Sequence, residues 1–431
     1  MEQAKKVLIE TYGCTLNHAD SRIMGALLKQ NGFEVEYGTY SFDNSYDYVV
    51  MNTCTVKTQT EQKILDRVKK ANFLGNKLIV AGCIPSASKH TIESVAPNSS
   101  IITTSNAHRI AEAIGEIDSG KRPVLDQYSR VNKGMFAIDN DSAIGVIPIS
   151  EGCLSNCSFC ETKFARGPLN SFPEELILKG VEVSLKAGAK EIDLTSQDTG
   201  AYGIDKKTNI AELVKNAAAI EGDFRIRVGM LNPEHLHRYF DDLVEAMKSE
   251  KVYKFVHLPI QSGSDSVLKQ MKRNYTVAQF NSYVKEFRSK IPGISIATDI
   301  IVGFPNESDA DFTDTLNFLK EMRPEIVNVS KFGARPHAPA SKLEQLDNKV
   351  IKARSAEASR LFRHIQEEQR VSVLGEVRSV LITERNAKSV TGRDDFYNEI
   401  AFPNSDIKIG TRVNAKLEMP SGGCIIAELA K

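Results

Sequence analysis

The chain has no excess charge of either sign: 55 Lys and Arg stand against 55 Asp and Glu among 431 residues. Its global electrostatics therefore advertise no nucleic acid, and any surface for one must be a local patch. Long apolar runs are missing too. None reaches the roughly 18–20 residues that a membrane helix needs, so no membrane partner is expected. The stretch Met1 to Lys6, followed by Val7 to Thr11, lacks the apolar segment and small-residue cleavage site of a secretory leader, which predicts a cytoplasmic protein. Internal repeats and low-complexity tracts are also absent. What remains is ordinary globular usage, 41% hydrophobic and 26% charged, which excludes wholesale disorder, collagen and a disulfide-stapled miniprotein. At roughly 100–200 residues per domain, the length predicts two to four domains.

Cysteine is scarce, and its placement is informative. Without a secretory leader disulfides are not expected, and clustered cytosolic cysteines bind metal or do chemistry. Cys153, Cys157 and Cys160 form one tight group, whereas Cys14, Cys54 and Cys83 stand far apart. Each of the latter follows an apolar run: Glu10-Thr-Tyr-Gly-Cys14, Met51-Asn-Thr-Cys54 and Val80-Ala-Gly-Cys83. Val7–Thr11, Tyr48–Asn52 and Leu78–Ala81 read as strands, with helical periodicity over Asp20–Asn31 and Glu61–Ala71 between them. Strands alternating with helices imply βαβ units and a parallel sheet. The strand C-termini of such a sheet share one edge, where ligands bind. The three cysteines are thus expected to converge there, with three buried structural thiols as the competing reading. Cys424, in an apolar run, is expected to be a core thiol.

A polar stretch, Asp118 to Asp139, reads as a linker. Beyond it Val146–Ile149, Glu191–Thr195, Phe224–Met230, Phe255–Ile260, Ser295–Val302 and Ile326–Lys331 read as strands. Helical stretches at Pro173–Ala187, Asn209–Ala219, Pro233–Ser249 and Val277–Lys290 separate them. Six β/α units without hairpin turns predict a (β/α)6-type partial barrel, with an open doubly wound sheet as the competing fold. After a mixed-charge helix over Asn348–Arg370 come the short runs Ser372–Thr383, Ile407–Leu417 and Gly423–Leu429. They predict a small β-barrel, a shape often used to grip RNA. The fold class is therefore α/β, in three parts: residues 1–130, 139–368 and 369–431.

The group Cys153-Leu-Ser-Asn-Cys157-Ser-Phe-Cys160 follows the first strand of the expected barrel, which puts it at the C-terminal face where barrel active sites form. Three thiolates on one loop hold three irons of a [4Fe–4S] cube and leave the fourth open, whereas electron-transfer clusters take four cysteines. An open iron is a coordination site for a substrate or cofactor, as the open position of a catalytic zinc is. Zinc is the alternative, but it wants four ligands, and the nearest histidines, His108 and His235, are distant in sequence. Phe159 offers an aromatic wall for a bound purine.

This spacing, with an aromatic residue before the last cysteine, resembles the radical-SAM superfamily. Together with Gly13-Cys14-Thr-Leu-Asn17, Asn52-Thr-Cys54, Ala81-Gly-Cys83, Ala165-Arg166-Gly167 and the β-rich tail, it resembles the radical-SAM methylthiotransferases over nearly the whole chain. Thr162-Lys-Phe-Ala-Arg166-Gly, Leu194-Thr-Ser-Gln-Asp-Thr-Gly-Ala-Tyr202-Gly and Ala297-Thr-Asp-Ile-Ile-Val-Gly-Phe-Pro305 are most similar to the archaeal and eukaryotic branch. That branch acts on N6-threonylcarbamoyladenosine beside the tRNA anticodon, and the lack of a C-terminal membrane anchor points to an archaeal type. The resemblance implies an N-terminal methylthiotransferase domain with an auxiliary cluster on Cys14, Cys54 and Cys83. It further implies a radical-SAM domain with a cluster on Cys153, Cys157 and Cys160, and a TRAM-like RNA-binding tail. Cofactors and partners follow from it: two [4Fe–4S] clusters, S-adenosyl-L-methionine, a reduced electron-donor protein and the tRNA anticodon loop. One electron would cleave the sulfonium, and the resulting 5′-deoxyadenosyl radical would take hydrogen from C2 of the adenine. The auxiliary cluster would hold the sulfur, and a second S-adenosylmethionine would give the methyl group. No acid–base residues are conspicuous, in keeping with chemistry that a cofactor carries.

Weaker expectations concern the strand ends. Ser196, Gln197 and Asp198 after the second barrel strand, Gln261 after the fourth and Asp299 in the fifth are expected at the cofactor, with satisfied polar residues as the alternative. Arg166, Arg225 and Arg227 are expected at the substrate, where one would select the carboxylate of the threonylcarbamoyl group. Arg225 and Arg227 are two apart on one strand and so face one side; for Arg166 a structural salt bridge is the alternative. The tail would position tRNA through its phosphates, and an anticodon-loop adenosine is already unpaired. Two rival functions stand. One is a methylthiotransferase acting on isopentenyladenosine in tRNA or on a ribosomal-protein aspartate. The other is a non-catalytic iron–sulfur RNA-binding or electron-carrier protein, against which the missing fourth cysteine counts.

Overall fold

Strands without polar alternation must be covered on both faces, and the N-terminal sheet obeys this. In the computed structural model, which describes residues 4–43, 45–55, 58–139 and 142–430, its strands are β1 (Lys6–Thr11), β2 (Glu34–Tyr37), β3 (Tyr48–Thr53), β4 (Leu78–Gly82), β5 (Ser100–Thr103) and β6 (Val124–Leu125). The first three residues of the stretch read for a leader lie outside the described ones. The sheet is parallel, in the order β2-β1-β3-β4-β5-β6, and central β3 and β4 are buried at every position. Val7, Ile9, Val50 and Ile79 pack under helices Thr15–Gln30 and Ile110–Asp118; Leu8, Val49, Met51 and Val80 pack under helix Thr58–Ala71. The first helix starts earlier than the expected Asp20, directly after Cys14.

The stretch expected to be a linker is no free tether. It supplies β6 and a turn at Lys133–Met135 capped by Asn132. The Lys133 ammonium is buried, 2.6 Å from Asp20 and 2.8 Å from Glu151, and so ties the first helix to the segment that opens the barrel. A polar composition conceals such a role because a buried cation flanked by carboxylates reads as an ordinary solvated charge.

Next come β7 (Ile144–Pro148), the small pair β8 (Ser150–Glu151) and β9 (Asn170–Ser171), then β10 (Glu191–Thr195), β11 (Arg225–Val228), β12 (Phe255–His257), β13 (Ser295–Val302) and β14 (Ile326–Lys331). Two parallel three-stranded sheets, β7-β10-β11 and β12-β13-β14, are joined through a bridge between Ile226 and Val252. Six strands thus follow one another in chain order, a partial barrel and not a doubly wound sheet. Ile147, Ile192, Leu194, Ile226, Val256 and Ile300 point outward into the helical layer. The expected helix Pro233–Ser249 is broken into Pro233–Leu236 and Phe240–Met247, and Tyr239 at the break donates its buried hydroxyl to the Gly200 carbonyl at 2.7 Å.

After helix Asn348–Val371 the chain forms β15 (Val377–Arg385), β16 (Ser389–Asp394), β17 (Glu399–Pro403), β18 (Arg412–Ser421) and β19 (Cys424–Leu429), a closed barrel ordered β15-β16-β17-β19-β18. Val380, Ile382, Val390, Ile400, Leu417 and Ile425 fill it. The first tail strand begins later than expected because Ser372 caps the preceding helix. Cys424 is no core thiol: it sits half-buried at the β18–β19 turn, its S–H directed at the Ser421 carbonyl 3.2 Å away.

The β16–β17 turn enters the bottom of the partial barrel. The Tyr397 ring packs 4.9 Å from Tyr253 and 4.7 Å from Phe255, centroid to centroid. Arg225 Nε donates to Asp395 at 2.9 Å, and the Arg227 guanidinium lies 5.5 Å from the Tyr397 ring centre and 3.9 Å from Asp193. Arg225 and Arg227 do share a face, but they hold this floor in place and do not reach the mouth. No helix among the described residues is long and apolar enough to cross a membrane.

Candidate functional site

The first cysteine set is assembled by three strand ends. Cys14 caps helix Thr15–Gln30 after β1, Cys54 follows β3, and Cys83 opens helix Cys83–Ala87 after β4. Asn17 stands between them, its Oδ1 3.8 Å from the Cys14 sulfur and 3.6 Å from that of Cys83. Its Nδ2 donates to the carbonyls of Tyr12 and Thr53, both at 2.8 Å, which fixes the amide orientation. Two glycines permit the crowding. A Cβ on Gly13 (φ 101°) would lie 2.5 Å from the Cys54 sulfur, and one on Gly82 (φ 94°) 2.5 Å from the Thr53 carbonyl oxygen. Burial pushes the Cys83 thiol up to about 12; Arg166 opposes this, and Cys54 and Cys14 add to it. A bare Cys83 therefore stays protonated, and a bound cation or cluster is what makes it thiolate.

Arg166 belongs to this set and not to a substrate surface. It is 2% exposed, donates to Asn17 Oδ1 at 2.6 Å, and pairs with Asp20 and Glu151, each at 2.9 Å. No phosphate reaches a guanidinium so enclosed.

The second set lies on the loop after β8. Cys153 N–H donates to the Gly167 carbonyl at 3.2 Å, and Thr162 N–H points at the Cys160 sulfur at 3.4 Å. Arg273 donates to the Cys157 sulfur at 3.4 Å, to the Pro259 carbonyl at 3.0 Å and to the Tyr275 hydroxyl at 2.8 Å. Sequence reading missed Arg273: it lies between helices Asp265–Gln270 and Val277–Lys290, and nothing local ties it to Cys157, 116 residues away. Burial, then the charge of Asp198, pushes the Cys153 thiol up to about 12, and burial raises Cys160 as well. Asp198 itself accepts from the backbone N–H of Gly200 and Asn232, each at 3.0 Å. Beside it, Ser196 Oγ and Gln197 Oε1 are buried without a hydrogen-bond partner, as acceptors awaiting a ligand ammonium are. No group of His, Cys, Asp and Glu among the described residues is close-set enough for a single metal ion. A cube places each thiolate on a different iron and so does not need its donors gathered about one ion.

Cys160 of the second set lines a cleft of about 760 Å³, and Thr55, the residue after Cys54, brings the edge of the first set to it. Thr55 and Thr60 line it from the N-terminal sheet, Phe159, Cys160, Glu161 and Thr162 from the second cysteine loop, and Gln261, Asp299 and Ile301 from the barrel. Thr55 directly follows Cys54 and Glu161 directly follows Cys160; the Thr55 hydroxyl lies 2.8 Å from Glu61 and 3.1 Å from Glu161. Gln261 holds a left-handed backbone (φ 76°), costly for a side-chain-bearing residue. Asp299 sits 2.9 Å from His257 Nε2 and accepts from Asn328 at 2.8 Å. Of the expected contacts, Phe159, Gln261 and Asp299 line the cleft; Ser196, Gln197, Asp198, Arg166, Arg225 and Arg227 do not. Lys331, Arg335 and Lys352 line it unforeseen, although the first two stand at or just past the end of the sixth barrel strand.

Residues 147–319 match the radical SAM superfamily, and residues 6–104 match the uncharacterized protein family UPF0004. A probable threonylcarbamoyladenosine tRNA methylthiotransferase of Methanothermobacter thermautotrophicus is 40% identical across 89% of this chain and 90% of its own. The threonylcarbamoyladenosine tRNA methylthiotransferase of Homo sapiens is 33% identical across 96% of this chain and 72% of its own. The radical S-adenosylmethionine methyltransferase TsrM of Kitasatospora setae, solved with cobalamin and a [4Fe–4S] cluster, shares the fold with a TM-score of 0.58, 79% of this chain and 77% of its own being covered at 14% identity.

Proposed function

Because the chain belongs to the threonylcarbamoyladenosine tRNA methylthiotransferase family, we propose that it inserts a methylthio group at C2 of N6-threonylcarbamoyladenosine in the tRNA anticodon loop. The observation that carries this reading is the contact between the two cysteine-bearing segments, where the residues following Cys54 and Cys160 come within 3.1 Å at the edge of the cleft. Cys14, Cys54 and Cys83 would hold one [4Fe–4S] cluster and Cys153, Cys157 and Cys160 the other. Bound, the clusters supply one-electron chemistry on S-adenosyl-L-methionine and a seat for the incoming sulfur.

The protein's own residues bind and orient. Asn17 and Arg166 set the first cysteine loops, and Arg273 sets the Cys157 sulfur. Ser196 and Gln197 offer acceptors to the methionine ammonium, and Asp198 adds negative charge near it. Phe159, packed on Met271, Phe304 and Phe332, presents an apolar face to the adenine and keeps water from that wall. Gln261 and Asp299 give polar contacts along the purine. The labour is divided among residues 1–130, which carry the auxiliary site, 139–368, which carry the radical-SAM site, and 369–431, a TRAM-like barrel for RNA phosphates. A reduced electron-donor protein completes the partners, and the cytoplasm is the compartment, where thiols such as these six stay unpaired.

Mass spectrometry of tRNA nucleosides from host cells with and without the gene tests the reading. The methylthio form of threonylcarbamoyladenosine is expected to vanish and its precursor to accumulate. An unchanged threonylcarbamoyladenosine pool, with loss of a methylthio isopentenyladenosine or of a methylthio aspartate in a ribosomal protein, overturns the substrate assignment.

A further inference from the structure

The cleft carries cations that this reading leaves unused. Arg335 is only 6% exposed; its Nη1 donates to Glu61, whereas Nη2 is buried with no hydrogen-bond partner. A buried N–H without an acceptor is costly, and a ligand oxygen removes that cost. Lys331, at the end of β14, and Lys352, on helix Asn348–Val371, line the same cleft and have no ion-pair or hydrogen-bond partner among the described residues. Of the acidic groups of the lining, Asp299 is held by His257 and Asn328, and Glu161 accepts from Thr55 through Oε2 alone. The lining thus holds three cations, Lys331, Arg335 and Lys352, and two carboxylates, Glu161 and Asp299, with Glu61 paired to Arg335 behind it.

Resting on the function proposed above, we infer that Arg335, Lys331 and Lys352 form an anion subsite for the carboxylate of the threonylcarbamoyl group, so that the N6 substituent selects the adenosine. The guanidinium plane gives one edge to Glu61 and leaves its other N–H groups for the substrate, a geometry suited to a carboxylate. The two ammonium groups add charge without fixed direction. Arg166, Arg225 and Arg227 are committed elsewhere and take no part.

Fluorescence anisotropy on the full, anaerobically reconstituted chain tests this with three anticodon stem-loops: one bearing threonylcarbamoyladenosine, one its uncharged carboxamide analogue, and one plain adenosine. The wild type is expected to favour the carboxylate-bearing RNA at least about tenfold over the other two. K331M/K352M, altering two side chains that hold nothing else together, is expected to lose most of that preference while binding the plain RNA as before. R335K, which can still pair with Glu61, is expected to lose part of it. Equal losses on all three RNAs mean that the lysines hold phosphate, and a preference retained in K331M/K352M means that selection lies elsewhere; either overturns the subsite. A wild type that methylthiolates the threonylcarbamoyl RNA without preferring it in binding overturns the subsite alone. One that neither prefers nor modifies it overturns the substrate reading as well.

Discussion

Each cysteine set stands beside one buried arginine, and the two arginines differ in company. Arg166 meets the first set at Asn17 and at Cys83 and is matched by Asp20 and Glu151, with Lys133 completing a network of two cations and two anions. Arg273 touches the Cys157 sulfur directly and has no carboxylate partner among the described residues. The first charge is cancelled locally and so acts as a rivet; the second is not, and acts on whatever the sulfur binds. Chain layout explains the contrast. Cysteines spread from residue 14 to residue 83 need the whole sheet and its neighbour to meet, whereas a single loop brings Cys153, Cys157 and Cys160 together and leaves its arginine free for electrostatics.

If the rivet reading holds, Arg166→Met has the largest effect. It strands two carboxylates against Lys133 alone, and breaking a buried ion network costs about 3–5 kcal/mol. Guanidinium unfolding is expected to register that loss. Iron and sulfide assays are expected to fall from about eight irons per chain toward about four, with the second set retained. Equal stability of mutant and wild type breaks the comparison at its first term.

Gly82→Ala is the next step down and touches no charge. The added Cβ meets the Thr53 carbonyl at 2.5 Å on a backbone at φ 94°, a strain on the order of 1–3 kcal/mol. Loss is again expected at the first set only, because Cys83 follows directly. Loss of iron from both sets equally shows that they do not assemble independently.

Arg273→Met sharpens the other term. Removing an uncancelled cation beside a sulfur ligand disfavours the more negative, reduced state. At a fixed poise the reduced-to-oxidised ratio of the second cluster is expected to fall about tenfold, equivalent to about 59 mV for one electron. Arg273→Lys is expected to restore part of this, and the first cluster is expected to be unmoved. Redox titration followed by electron paramagnetic resonance reads both; a potential independent of residue 273 removes the electrostatic half of the contrast.

These contrasts mark the limit of what the residues announce. Strand runs, the triple cysteine and the β-rich tail are local patterns, and β10, β13 and β14 match the reading to the residue. The strand-end cysteines were legible because parallel sheets share an edge. The roles of Arg166, Arg225 and Arg227 were not, because each is decided by partners far along the chain: Asn17 is 149 residues from Arg166, and Asp395 is 170 from Arg225. Lys133 was hidden in a polar stretch for the same reason. The β16–β17 hairpin was missed because Ser389–Asp394 alternates buried and half-buried positions while carrying a single aliphatic residue.

The smallest expected effect concerns the ground beneath the second set, which has no counterpart under the first. On the barrel floor Glu191 accepts from Tyr253 at 2.8 Å, with Tyr397 at 3.4 Å. Burial, reinforced by the charge of Asp193, pushes Glu191 up to about 8 from an ordinary value of 4.5. A carboxyl raised in the folded state binds its proton more tightly there than in the unfolded chain. Its contribution is therefore complete below about pH 4.5 and is lost as the pH climbs toward about 8. Between pH 7 and 8.5 the wild type is expected to lose on the order of 1 kcal/mol from this source. Glu191→Gln, which has no proton to release, is expected to show a flatter dependence in guanidinium unfolding over the same window. Iron content should stay constant in both, since the floor lies at the end of the barrel away from the cysteines. Parallel pH profiles for the two proteins remove Glu191 as the cause, and iron lost in step with the floor makes the second set as dependent on distant packing as the first.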